Sequence, residues 1–142
     1  ESAVLYVVMT CAINESIAAG YLDACARASR CKLARAANRA LLRDEVKHAR
    51  LGFAFLGWCS ASDRSLVGQA LPSLVGTALD HWLDPHDYPT RLPEGYGCID
   101  HASLRSAVLA ALEALVLPGF EHLGIGVNPV RRLLHEAVAS KA

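Results

Sequence analysis

The chain has 142 residues, enough for one domain with its own core. Hydrophobic residues make up 53% of it and aromatics 6%, and 14 acidic side chains cancel 14 basic ones. A neutral chain lacks the field that draws in nucleic acid or an anionic membrane, so neither is expected as a partner. Ala and Leu dominate, without strand-like alternation of Val and Ile, and this composition predicts an all-α fold.

The first predicted helix runs from about Ala3 to Ala26, its second half rich in Ala and Leu. Its apolar run Ala3–Ile13 is too short to span a bilayer and gives way to Asn14, Glu15 and Ser16. No positively charged leader precedes it. The chain begins at Glu1, without Met and already inside a helical pattern, which raises the expectation of an upstream segment. A break is predicted around 28–32, then a second long helix from Lys32 to Trp58 with a broad apolar stripe. Two long helices with a short connection predict an antiparallel hairpin.

Ser60-Ala61-Ser62-Asp63 offers capping groups for a third helix from about Asp63 to Leu83, which Pro72 should kink or divide. Residues 84–97 hold three prolines and two glycines and predict an irregular loop. Asp100 can cap a fourth helix, His101–Val116, which Pro118-Gly119 ends or bends. Asn128-Pro129 starts a last helix to about Ser140. Residues 1–59 thus form a hairpin, and 60–142 add helices and a Pro/Gly-rich loop to the same domain.

Chemistry concentrates on the hairpin. Steps of three and four place Val8, Ala12, Glu15, Ala19 and Leu22 on one stripe. Leu41, Glu45, His48, Gly52 and Phe55 share a stripe on the second helix. Each stripe sets ionisable groups among apolar and small neighbours, where an unpaired carboxylate is costly. If the chain turns near residue 30, Glu15 and Glu45 lie about 15 residues to either side, and equal rise in both helices brings them to one height. A Glu facing a Glu-x-x-His is half the donor set of a carboxylate-bridged two-metal site. Carboxylates bridge and neutralise two cations, and imidazole adds a neutral nitrogen donor suited to Fe, Mn or Zn.

At Asn14-Glu15-Ser16 and Asp44-Glu45-Val46-Lys47-His48-Ala49-Arg50-Leu51-Gly52, the sequence resembles the ferritin-like superfamily. The resemblance covers residues 3–58 and implies an antiparallel helical bundle, a long hairpin with shorter C-terminal helices. It implies Glu15, Glu45 and His48 as metal ligands, and Asp44 as hydrogen-bond partner of a metal-bound His on a neighbouring helix. It further implies two iron ions, or an Fe/Mn pair, and oxidoreductase chemistry with O2 and a small-molecule substrate. Iron handling by a ferroxidase and a metal-free helical interaction module are the alternatives. No second Glu-x-x-His follows His48, and Glu113, Glu121, His122, His135 and Glu136 lack the spacing. The other half is expected from a missing N-terminal helix pair or from a homodimer partner.

Five cysteines without a C-x-x-C pair read as reduced thiols, three of them small hydrophobes on helices, which suits a cytoplasmic protein. Asp80, His81, Asp84, His86 and Asp87 read as a solvated loop cluster. His122 and His135 read as helix-end residues, and Gly124-Ile125-Gly126 is no phosphate loop because no strand precedes it. Trp58, Trp82, Tyr88 and Tyr96 read as core and rim aromatics.

Overall fold

The computed structural model describes residues 2–84 and 93–139, and every regular element among them is helical. We number five helices: α1 Ala3–Ala28, α2 Lys32–Trp58, α3 Ala61–Trp82, α4 His101–His122 and α5 Asn128–Ala139. The predicted all-α class holds. His86, Asp87 and Tyr88 lie outside the described residues.

Helix α1 is the axis of the molecule. It packs on α2 along one side and on α4 and α3 along others. Its fully buried Val8, Ala12, Ile13 and Ile17 meet Val67, Leu71 and Val75 of α3 and Val108, Leu112 and Val116 of α4 in a single core. The α3 residues recur at steps of four, so one face of that helix is sealed. Ile125, Val127 and Val130 extend the core towards α5. No buried side-chain N or O among the described residues lacks a partner.

Helix α2 is placed differently. It buries only Ala49, Gly52 and Leu56. Its C-terminal end reaches α4, where Phe53 sits edge-on to Phe120 with ring centroids 5.4 Å apart. Phe53 occupies the space left by Gly119, whose added Cβ would lie 2.5 Å from the ring. Trp58, expected in the core or at its rim, projects into solvent. Trp82 does pack, against Tyr21 at 5.9 Å.

Two prolines behave in instructive ways. Helix α3 runs unbroken through Pro72. Helix α4 continues past Pro118 to His122 because residues Leu112–Val116 open into a π-helical turn immediately before it. Proline in a helix loses one N–H and presses its ring on the carbonyl four residues back. A widened turn ahead of it accommodates both effects.

The caps follow the sequence. Ser60 and Asp63 form a reciprocal capping box at the start of α3. Asp100 accepts a 2.7 Å hydrogen bond from the Ser103 N–H at the start of α4. Helix α3 therefore begins two residues earlier than expected, at Ala61.

The α1–α2 corner is held by the segment before α4. The Gly95 carbonyl accepts from the N–H groups of Arg30 and Cys31, both at 2.9 Å. Gly95 and Gly97 adopt φ values of +81° and +86°, which glycine tolerates best. A Cβ at Gly97 would lie 2.6 Å from the Cys25 carbonyl oxygen. Arg35 donates back to the Ser29 carbonyl, and Ser29 donates 2.8 Å to the Cys25 carbonyl.

Gly52 permits the tightest helix contact. A Cβ there would lie 2.5 Å from the Ala12 nitrogen and 2.7 Å from the Cys11 carbonyl carbon. Gly52→Ala should therefore destabilise the fold by about 1–3 kcal/mol, the usual range for overpacking. Gly76→Ala on α3, where a Cβ meets nothing within 4 Å, should instead stabilise by up to about 1 kcal/mol through helix propensity. Urea unfolding midpoints of the two variants against the parent check both signs.

Candidate metal centre

The corner at Ser29–Cys31 places Glu15 and Glu45 at matching heights on α1 and α2. One ligand atom from each of Glu15, Glu45 and His48 lies within 4.8 Å of the others. Glu45 and His48 share a face across the i, i+3 spacing, with His48 Nδ1 3.1 Å from Glu45 Oε2. The Glu45 side chain is 22% exposed and that of His48 55%, so the cluster is roofed by α1 on one side and open on the other.

Local structure at Glu15 is unusual. Residues Val8–Asn14 form a π-helical stretch, and Glu15 is the first residue after it. Such turns widen the helix, re-aim the side chains that follow, and concentrate at functional sites. Here the stretch lies against α2, and Gly52 approaches its backbone at Cys11 and Ala12. Ser16, next to Glu15, donates 2.7 Å to the Ala12 carbonyl. Asn14, on its other side, accepts 3.2 Å from the Trp82 indole N–H. Glu15 is thereby clamped between two residues tied to the scaffold. Asn14 stands in the sequence beside the candidate ligand, but its tie to Trp82 spans 68 residues and carries no local signal.

The carboxylates are crowded. Partial burial first, then the hydrogen bond to Glu45 and its negative charge, raise the Glu15 pKa to about 7. Glu45 is lowered, chiefly because it accepts that hydrogen bond. The two shifts are opposite in sign, so Glu15 is the carboxyl of the pair that holds its proton more tightly. Lys47, two residues after Glu45, is turned to Asp44 at 2.9 Å.

Asp44, implied as a partner for a His on a neighbouring helix, sits on the exposed face of α2 in that ion pair with Lys47. Glu113 and Glu121, which lack ligand spacing, both bind Arg131, at 2.9 and 3.0 Å. His122 and His135 are exposed. All five cysteines are free thiols, Cys25 buried and Cys98 exposed.

The donor set suits a divalent transition metal. Donors held on one ion by bonds of about 2.1 Å lie at most about 4.2 Å apart, so slight closure of this cluster satisfies a single ion. Two carboxylates and one imidazole match the preferences of iron and manganese. Three protein donors leave open positions on that ion and are too few to complete a two-ion site.

Comparison with protein-family models, curated proteins and solved structures yields no match to this chain. By length and composition α1 and α4 are apolar enough to cross a bilayer, with mean hydropathies of 1.5 and 1.4, and both pack into the core. The Ala3–Ile13 run judged too short is one part of that longer helix.

The raised pKa of Glu15 sets a pH dependence for the metal-free protein. A folded pKa above the unfolded value means that the folded state holds the proton more tightly. The Glu15 contribution is fully present below pH 4.5 and is lost as pH rises through about 7. The lowered Glu45 acts oppositely at more acidic pH. The unfolding midpoint should therefore fall between pH 5 and pH 8, and Glu15→Gln should flatten the decline. A profile as steep in the variant as in the parent would refute the raised pKa of Glu15.

Proposed function

We propose that this chain carries a ferritin-like carboxylate–histidine metal centre and acts as an O2-linked oxidase or oxygenase of a small molecule. The observation that supports this most is the convergence of Glu15, Glu45 and His48 on one point, with Lys47 turned to Asp44. Packed helices normally separate carboxylates or bridge them with a cation. Here two carboxylates face each other with the His48 imidazole beside them, and a metal ion would neutralise both. The π-helical turn before Glu15 adds independent support, because it is a backbone departure located at a candidate ligand.

Each residue has a definable task. Glu45 offers its carboxylate in the resting state, since its pKa is lowered. Glu15 gives up its proton as it ligates. His48 faces the cluster through Nδ1, which must be unprotonated to bind. Iron, or an Fe/Mn pair, would supply the electrons that O2 chemistry requires. A ferroxidase role would call for an acidic path for Fe(II), whereas on α2 and α3 Asp44 is taken up by Lys47 and Asp63 by the helix cap at Ser60.

Metal analysis of protein purified without chelator tests the reading. Iron or manganese should be present in stoichiometric amount, and Glu45→Ala or His48→Ala should lower it by about tenfold or more. Trace metal that the substitutions leave unchanged would sink the proposal and leave a metal-free interaction module.

A further inference from the structure

The open side of the site is bordered by a seam on α2. Leu41, Asp44, His48, Leu51, Phe55 and Trp58 recur at alternating steps of three and four. That is the a/d pattern through which one helix packs on another. Yet Leu41 is 52% exposed, Leu51 59% and Trp58 84%. The rest of the fold does not cover these side chains, because α2 turns only Ala49, Gly52 and Leu56 inward. His48 stands in the middle of the seam, so whatever helix covers it comes to lie beside the metal donors.

We propose that a second copy of this chain packs antiparallel on the α2 seam and completes the metal centre. This rests on the metal reading above. Three features single out a second copy as the occupant. The seam is self-complementary in size: small residues, Ala34 and Ala37, lie at its N-terminal end, and bulky Phe55 and Trp58 at its C-terminal end. About a two-fold axis at Val46, Ala34 falls opposite Trp58, Ala37 opposite Phe55, and Leu41 opposite Leu51. It is self-complementary in charge as well. The same axis sets Asp44 opposite the second copy's His48. Finally, the donor set is half of a symmetric one. Two copies supply four carboxylates and two imidazoles, which bridge and neutralise two divalent ions.

In this dimer Asp44 gains a role beyond its ion pair. It becomes an acceptor for the free ring N–H of the second copy's His48, the usual partner of a metal-bound imidazole. The surface that is left apolar, the half-complete ligand set and the otherwise idle Asp44 then have one common explanation.

Sedimentation velocity of the full chain, with and without anaerobic Fe(II), tests the proposal alongside metal content. The expected result is a dimer holding two ions. Leu51→Lys and, separately, Leu41→Lys should give monomers that retain at least about tenfold less iron. Their far-UV circular dichroism should be unchanged, since both side chains are exposed in the single chain. A parent protein that is monomeric while holding full iron overturns the dimer and leaves the metal reading intact. A dimer that both lysine variants leave undisturbed overturns the seam. A dimer broken by both variants that never holds iron overturns the metal reading and, with it, the completed centre.

Discussion

The candidate site depends on how closely two helix backbones approach at Gly52. Without a side chain there, α2 presses onto α1 at Cys11 and Ala12. Glu45, two turns earlier on α2, and Glu15, one turn later on α1, are then brought within carboxylate reach. The corner around Ser29, Gly95 and Gly97 fixes the register along the helix axes, and Gly52 fixes the separation across them. Neither alone suffices. A correct register at a wider spacing would leave two solvated carboxylates, and close spacing with a slipped register would set Glu15 against an apolar neighbour.

Much of this was legible in the sequence because it rests on short-range rules. The long hairpin follows from two helical patterns separated by a brief interruption. The matching heights of Glu15 and Glu45 follow from counting residues out from residue 30. Ser60, Asp63 and Asp100 cap helices as their side chains dictate. The small residue at position 52 was visible too, though not that it meets the backbone at Ala12. That contact depends on the partner helix and on its local phase.

The phase is what periodicity misread. A constant 3.6-residue turn carries Val8, Ala12 and Glu15 down one stripe, whereas the helix widens between Val8 and Asn14. Val8, Ala12 and Ser16 are all buried, so the inward face of the helix passes through Ser16 and leaves Glu15 at its edge. The same device appears at Leu112–Val116, where it lets α4 pass Pro118. Proline there signalled a stop, and the helix instead absorbed it. The two widened turns lie against each other in the core. Each helix is thus irregular where the other is, and neither irregularity could be inferred from its own segment. Trp58 was misplaced for a related reason: an aromatic at a seam position looks like core until one knows which elements cover α2.

The electrostatics of the cluster connect the fold to its chemistry. Crowding Glu15 against Glu45 is unfavourable unless something positive lies between them. Lys47 is close enough in sequence to serve, but Asp44 engages it. The raised pKa of Glu15 and the His48 ring beside Glu45 answer the crowding in part. A proton on Glu15 neutralises one carboxylate only. A divalent ion neutralises both carboxylates and uses the nitrogen as well. The scaffold invests two constraints in this point, the glycine contact and the π-helical turn. A surface salt bridge would need neither, whereas a coordination site needs its donors held to within a fraction of an ångström.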